Sequence, residues 1–157
     1  MSNLNQQNAT WNLQDMFEND AAWEAQLKET QQLMDRLAAK QGRAASTAAD
    51  LLETARLYEQ CNMKLEQLYV YASCKYHPDL SVDASKGMME TIMTEVSRFG
   101  EKTAFLAPEL MQGTMEQFDA FCKELPELEV YRHYAEDFFT KKAHILDRQG
   151  EEILVRM

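Results

Sequence analysis

The sequence predicts an all-α protein, a multi-helix bundle with two or three long antiparallel helices and shorter C-terminal helices. Three observations predict this class. The 157 residues include 5 glycines and 3 prolines, too few for the many tight turns of a β-sandwich or barrel. Hydrophobic residues make up 45% and charged residues 27%, the balance of a globular chain. Apolar residues also recur at steps of three and four, the period of an amphipathic helix.

The first long helix is predicted to begin after an N-cap at Asn19 and Asp20. Its apolar positions recur at steps of four and three, with two flanking residues that widen the stripe: Trp23, Leu27, Thr30, Met34 and Leu37, flanked by Leu33 and Ala38. Gly42 can adopt the left-handed conformation that stops a helix. We therefore assign residues 1–18 to an extended or irregular N-terminal segment and residues 19–157 to a single helical domain.

A second, longer helix is predicted from Thr47, which forms with Asp50 a motif close to a capping box, up to Pro78. Its buried stripe is expected to contain ten positions: Leu51, Ala55, Tyr58, Cys61, Asn62, Leu65, Leu68, Tyr69, Ala72 and Tyr76. Nearly thirty residues span roughly 45 Å in a helix. Several other elements must therefore pack along it.

A third helix is predicted from about Val82 to Phe105, again with one apolar stripe: Met88, Met89, Ile92, Met93, Val96, Phe99 and Thr103. Pro108 then opens a short helical piece that Gly113 breaks. A capping box over 114–117 begins the next helix, which carries Phe118, Phe121, Cys122 and Leu125.

The last segments begin at Pro126 and at an N-cap predicted for Asp147. The segment after Pro126 has one broad apolar face: Leu128, Tyr131, Tyr134, Ala135, Phe138 and Phe139. The pattern reaches Met157 without a C-cap or a polar tail, so we expect a truncation point there.

Charge and cysteine content restrict the partners and the compartment. The net charge of −10 and the pI near 4.8 disfavour nucleic acid and anionic membrane as partners. The first residues lack the basic start and apolar run of a signal peptide, and no stretch is long and apolar enough to span a membrane. Cys61, Cys74 and Cys122 form no CxxC pair, and we expect them to be small buried hydrophobes in a cytoplasmic protein.

The sequence contains no motif of an active site: no HExxH, no glycine-rich phosphate loop and no nucleophile elbow. His133 and Glu136 are one helical turn apart, either as two ligands of a metal site that lacks a third or as a surface ion pair. His77 stands at a helix end, where it can cap carbonyls, and His144 is expected to be exposed. We therefore assign no catalytic, cofactor-binding or metal-ligating residue.

Two clusters allow a structural and a functional interpretation. Three tyrosines cannot share one helix face, so they either lie at the edge of the core or line a peptide-binding cleft: Tyr69, Tyr71 and Tyr76. Three methionines either fill gaps in the core or line an adaptable binding groove: Met88, Met89 and Met93.

The chain resembles the N-terminal region of the oligoendopeptidase F family, zinc metallopeptidases related to thimet-type oligopeptidases. The opening 10–17 (TWNLQDMF) followed by Trp23 and Glu24 is similar to the start of that family. Further similar segments follow in consistent order: 57–58 (LY), 64–72 (KLEQLYVYA), 75–76 (KY), 105–110 (FLAPEL), 127–134 (ELEVYRHY) and 142–144 (KAH).

The resemblance implies a helical lobe of a longer enzyme that hydrolyses short peptides in a deep channel. In that family an HExxH helix and a later glutamate supply zinc binding and catalysis, and none of these positions exists in this sequence. Zinc is thus implied for the longer parent, and this chain alone is expected to be inactive. Its expected partners are the catalytic domain, short peptide substrates and, for the separated chain, a second copy in a homodimer. The alternative is a stand-alone helical protein-interaction module without enzymatic activity.

Overall fold

The computed structural model describes residues 12–76 and 83–156, and over these residues the protein consists of helices without a β-strand. Its α-helices, numbered in chain order, are α1 (Asp20–Ala38), α2 (Ala48–Tyr76), α3 (Asp83–Thr103), α4 (Leu106–Leu110), α5 (Met115–Glu124) and α6 (Arg132–Arg156). Two 3₁₀ helices, Leu13–Asp15 and Pro126–Tyr131, precede α1 and α6. The all-α prediction is confirmed.

The helix starts follow the predicted caps. Each N-cap side chain accepts a hydrogen bond from a backbone N–H in the first turn: Asn19 from Ala22 at 2.9 Å, Thr47 from Asp50 at 3.0 Å and Thr114 from Gln117 at 3.2 Å. These bonds satisfy backbone donors that have no partner inside the helix. Gly42 has a φ of 87°, the left-handed conformation predicted for the turn after α1.

Helices α1, α2 and α3 pack side by side around the larger of two hydrophobic cores. The Trp23 indole N–H donates to the Leu68 carbonyl at 3.0 Å, near one end of the α1–α2 pair. Arg36 approaches Glu53 at 3.7 Å near the other end, so the two helices are antiparallel. We call the buried set the first core: Trp23, Leu27, Leu33, Met34, Leu37, Leu57, Cys61, Leu65, Leu68, Tyr71, Ala72, Ile92 and Phe99.

A second core lies at the N-terminal end of α2, where α5, the 3₁₀ helix Pro126–Tyr131 and α6 meet it. Its buried members are Ala48, Leu52, Phe118, Cys122 and Leu128. Half-buried residues surround them: Leu51, Met115, Phe121, Leu125, Tyr131 and Ala135. Helix α2 thus contributes to both cores, as its predicted length requires.

The predicted stripe of α1 is confirmed at every position, but that of α2 is partly wrong. All five α1 positions are buried, whereas three positions predicted on the buried face of α2 are exposed: Tyr58, Asn62 and Tyr69. Both α1 and α3 pack on α2, so its buried face is centred between them. That face includes Leu57, which the predicted stripe omitted, together with Cys61 and Leu68, which were predicted.

The boundaries and faces of the later helices also differ from the prediction. Met93 and Val96 are exposed on α3, and that helix ends at Thr103. Asp147 does not cap a new helix, because α6 is continuous from Arg132 to Arg156. No glycine or proline interrupts 132–149, so nothing breaks the helix before that point. Pro78, Val82 and Met157 lie outside the described residues.

The turn between α1 and α2 is fixed by Glu109 of α4. The Glu109 carboxylate accepts hydrogen bonds from the backbone N–H of Gly42 and, at 3.2 Å, from that of Ala44. Thr54 donates to the Ala44 carbonyl at 2.9 Å from inside α2. A charged acceptor shared by two backbone donors of one turn is a strong arrangement. It gives the segment 105–110 a structural role.

Candidate functional surface

The described residues do not form a metal centre. No three His, Cys, Asp or Glu side chains among them lie close enough together to hold a metal ion. They therefore do not fit the zinc ion that the resemblance implies for the longer protein, and we assign them no chemical step.

The candidate metal ligands lie at the surface. His133 and Glu136 are exposed on α6, and no third ligand joins them among the described residues. The His133 ring lies 6.3 Å from the Tyr134 ring. His144 is exposed, as predicted, and His77 lies outside the described residues.

The cysteines have the environments of small hydrophobes, although not all to the same degree. Cys61 and Cys122 are buried and Cys74 is half-buried, and all three are free. Burial raises the pKa of the Cys61 thiol to about 11. Burial, and then a hydrogen bond to Glu129, raises the pKa of Cys122. Raised pKa values disfavour the thiolate, so these two groups are poorly suited to act as nucleophiles.

The three tyrosines point in different directions, as predicted. Tyr71 is buried, Tyr76 is half-buried and Tyr69 is 39% exposed. The Tyr71 hydroxyl donates to Asp20 at 2.9 Å, and Lys75 pairs with the same carboxylate. The hydrogen bond from Lys75 is the main cause that lowers the pKa of Asp20, and burial is the main cause that raises the pKa of Tyr71. This triad joins α1 to α2 and acts as a structural clamp.

The methionines also divide between core and surface. Met88 and Met89 are half-buried against the first core, where they fill gaps as expected. Met93 instead is 49% exposed on the outside of α3.

Helices α1, α2 and α3 together form a three-helix unit. One surface of this unit carries exposed apolar side chains on two adjacent helices. We call it the outer α2–α3 face: Tyr58 and Tyr69 of α2 with Met93 and Val96 of α3, between 39% and 49% exposed. The Tyr58 ring lies 5.4 Å from the ring of Phe99, and Ser73 contacts Met89 with 3.8 Å between oxygen and sulfur. Because the first contact is early in α2 and late in α3, these helices are antiparallel and close along their length.

The outer α2–α3 face points away from α1. Lysines on α2 and α3 reach carboxylates on α1: Lys64 to Glu29, Lys75 to Asp20 and Lys102 to Asp35. Tyr58, Tyr69 and Val96 each precede one of these lysines by six residues. Six residues place two side chains about 120° apart around a helix. The charged α1 side and the apolar outer face are therefore distinct surfaces.

Ion pairs follow the same division. Among the residues that the structure describes, every ion pair between elements of the three-helix unit involves α1 or Lys40, directly after it. None of the ion pairs in the described part of the chain joins α2 to α3 across the outer face. In a chain with a net charge of −10, such a surface suits an apolar partner better than a charged one.

Sequence reasoning missed a buried cation. Lys40 is 4% exposed and pairs with Asp50 at 3.2 Å and with Glu53. The hydrogen bond to Glu53 is the main cause that raises the pKa of Lys40. Glu95 is another buried charge, 3% exposed, and Arg98 pairs with it at 2.6 Å. The three-residue spacing of Glu95 and Arg98 is that of an ion pair within one helix, but no motif signals the burial of Lys40 or Glu95, because the burial comes from helices distant in the chain.

The fold and its surfaces define a helical unit without a metal centre among the described residues, and comparison with known proteins shows which family it resembles. The family model described as Oligopeptidase F matches residues 109–157. The group B oligopeptidase PepB of Streptococcus agalactiae is 31% identical over 92% of this chain and 24% of its own length. Oligopeptidase PepF of Bacillus subtilis is 26% identical over 92% of this chain and 22% of its own length.

A solved structure agrees with these matches at the level of the fold. The crystal structure of oligoendopeptidase-F from Enterococcus faecium superposes with a TM-score of 0.71 and 24% identity, over 86% of this chain and 26% of that one. This chain thus matches the N-terminal region of the oligoendopeptidase F family, as predicted. It spans about a quarter of the length of the curated relatives that it matches.

Proposed function

We propose that this chain is the N-terminal lobe of an oligoendopeptidase F-like zinc metalloendopeptidase that hydrolyses short peptides. In this role the lobe walls the substrate channel and docks on the catalytic domain of the same polypeptide. The observation that carries the proposal is the extent of the similarity: it covers 92% of this chain but 24% of the length of the oligopeptidase PepB.

The zinc ion and the catalytic groups belong, in this proposal, to the rest of the polypeptide. The described residues offer no group of three metal ligands, which supports a lobe that is inactive when separated. A cytoplasmic location is part of the same proposal, and the three free cysteines support it. Among the described residues, no helix has the length and apolar character of a membrane span.

A chimeric enzyme tests the proposal. The matching N-terminal part of the S. agalactiae PepB is replaced with this chain, and cleavage of a short fluorogenic peptide is measured with and without a zinc chelator. We expect chelator-sensitive cleavage by the chimera and none by the chain alone. A soluble, folded chimera without activity would count against the proposal and favour the stand-alone interaction module.

Self-association of the separated chain is a second consequence of the proposal. A lobe without its catalytic domain exposes apolar surface, and we propose that it pairs as a homodimer through that surface. Size-exclusion chromatography with light scattering measures the mass across a range of concentrations. A monomer at every concentration would contradict the homodimer and leave the lobe assignment intact.

A further inference from the structure

We infer that the outer α2–α3 face is the surface through which this lobe docks, and that its occupant is an amphipathic helix from the remaining part of the same polypeptide. This inference rests on the proposed function and deepens it, because it names one surface and one partner. The occupant follows from the length outside this chain: the matched relatives are about four times longer, with this chain covering 24% of the oligopeptidase PepB.

The shape of the face suits a helix. Tyr58 and Tyr69 are eleven residues apart on α2, which corresponds to about 16 Å, or three helical turns. Val96 and Met93 lie on the adjacent antiparallel α3, which contacts α2 through the Tyr58 and Phe99 rings, so the two helices present neighbouring rows of exposed apolar side chains. A third helix can place a ridge of side chains between two such rows, as in ordinary helix packing.

The chemistry of the face selects an apolar partner. Tyrosine and methionine provide large contact area with little directional demand, and methionine adapts to the shape of its partner. The ion pairs that join the three helices lie on the α1 side, so docking here would leave them intact. A partner on the α1 side would instead have to replace or desolvate those charges.

Thiol labelling tests whether the face is covered in the assembled protein. Met93→Cys places a thiol on the outer face, and Gln32→Cys places a matched thiol on the exposed side of α1. Both are made in a Cys74→Ser background, because Cys74 is the half-buried natural thiol. Each variant is prepared as the separated chain, diluted until monomeric, and within the PepB chimera. Maleimide labelling at each introduced thiol is followed by peptide mass mapping.

The expected result is selective protection in the chimera. Labelling of the Met93→Cys variant should slow by about tenfold or more relative to the separated chain, because a covered thiol loses access to the reagent. Labelling of the Gln32→Cys variant should stay the same within about twofold, because the exposed side of α1 remains in solvent.

Other outcomes separate this inference from the proposed function. Equal labelling of Met93→Cys in the chimera and the separated chain overturns the docking surface, while peptide cleavage by that chimera keeps the proposed function. Equal protection of both positions also overturns it, because the reduced labelling is then not specific to the outer α2–α3 face.

Protection only in the concentrated separated chain identifies a second copy as the occupant and overturns the inference. Protection in a folded chimera that cleaves no peptide supports the surface and contradicts the channel role.

Discussion

The two cores of this protein differ in the number of their buried residues and in the length of the helices that supply them. The first core contains thirteen buried residues among those described, on three helices of at least 19 residues each. The second contains five, on short elements and on the ends of longer helices. Long helices can repeat an apolar position every turn, whereas short elements present only a few such positions.

Charged and polar side chains compensate for the smaller apolar area of the second core. Arg132 donates to Asp119 at 2.7 Å, pairs with Glu129 and lies 5.7 Å from the ring centre of Phe118. The Tyr131 hydroxyl donates to Glu59 of α2 at 2.8 Å. The comparison teaches that the three-helix unit combines many repeated apolar positions with ion pairs to α1, whereas the C-terminal elements have few buried apolar residues and depend more on a small number of directed contacts.

The largest effect is expected from Trp23 in the first core. Trp23→Ala removes a side chain that is 2% exposed and should lower the free energy of unfolding by about 3–5 kcal/mol. Urea denaturation followed by circular dichroism measures the change. Trp23→Phe is the control: it keeps most of the ring and loses the hydrogen bond to Leu68, so its cost should be clearly smaller. Equal losses in both variants would contradict a packing origin.

Leu128 provides the matching test in the second core. It is fully buried, and Leu128→Ala should cost about 2–5 kcal/mol. Hydrogen exchange should show the loss mainly in α5 and in the start of α6, with α1 and α3 still protected. Exposed Val130 supplies the control through Val130→Ala, which should change stability by less than about 0.5 kcal/mol. Uniform loss of protection in all helices would show that the two cores unfold as one unit.

Glu109 tests the contact that links α4 to the turn after α1. Glu109→Ala removes a charged acceptor from two backbone donors and should cost about 1–3 kcal/mol. Glu109→Gln keeps an acceptor of similar shape and should recover part of the loss. Thermal denaturation of the two variants measures the difference. If both variants have the same melting temperature as the wild type, the stability of the turn does not depend on the Glu109 side chain.

Lys40 should contribute stability that is complete near neutral pH and is lost toward both extremes of pH. Its hydrogen bonds are the main cause that lowers the pKa of Glu53 and that of Asp50, from ordinary values of 4.5 and 3.8. A lowered folded-state pKa gives stability that is present above the ordinary value and is lost as the pH falls through the lowered value. The pKa of Lys40 is raised above 10.5, so its contribution is complete below that value and is lost at still higher pH.

Lys40→Met should therefore flatten the stability profile below about pH 4.5 and above about pH 10.5. Urea midpoints measured across the pH range show this directly. Exposed Lys28→Met changes the net charge equally and serves as the control. If the stability of Lys40→Met changes with pH in parallel with that of the wild type, the ion pairs of Lys40 with Asp50 and Glu53 do not cause the pH dependence.

The smallest effect is expected from an exposed ion pair between α2 and the 3₁₀ helix Pro126–Tyr131. Arg56 of α2 pairs with Glu127, and both side chains are more than half exposed, at 54% and 57%. Arg56→Ala should cost about 0–1 kcal/mol, because water and salt screen such pairs. A comparison of urea midpoints at low and high salt tests this. A larger, salt-independent loss would show that Arg56 contributes through packing.

The sequence by itself determined the long helices α1 and α2 and the starts of α1, α2 and α5, because these depend on neighbours within one or two turns. The caps at Asn19, Thr47 and Thr114 were each predictable from a side-chain oxygen placed before a helical stretch. The α1 stripe was predictable for the same reason. The absence of an HExxH motif in this sequence and the resemblance to the family were also readable there.

Only the tertiary structure decided which positions of the α2 and α3 stripes are buried. Tyr58, Tyr69 and Val96 fit a helical period as well as their buried neighbours do, yet the direction from which α1 packs left them outside. Lys40 and Glu109 acquired their roles from partners on other elements, up to 67 residues away in the chain for Glu109 and Gly42. Periodicity is a local property, whereas burial and pairing depend on the angle at which distant segments meet. For that physical reason the helices could be predicted, and the candidate docking surface could not.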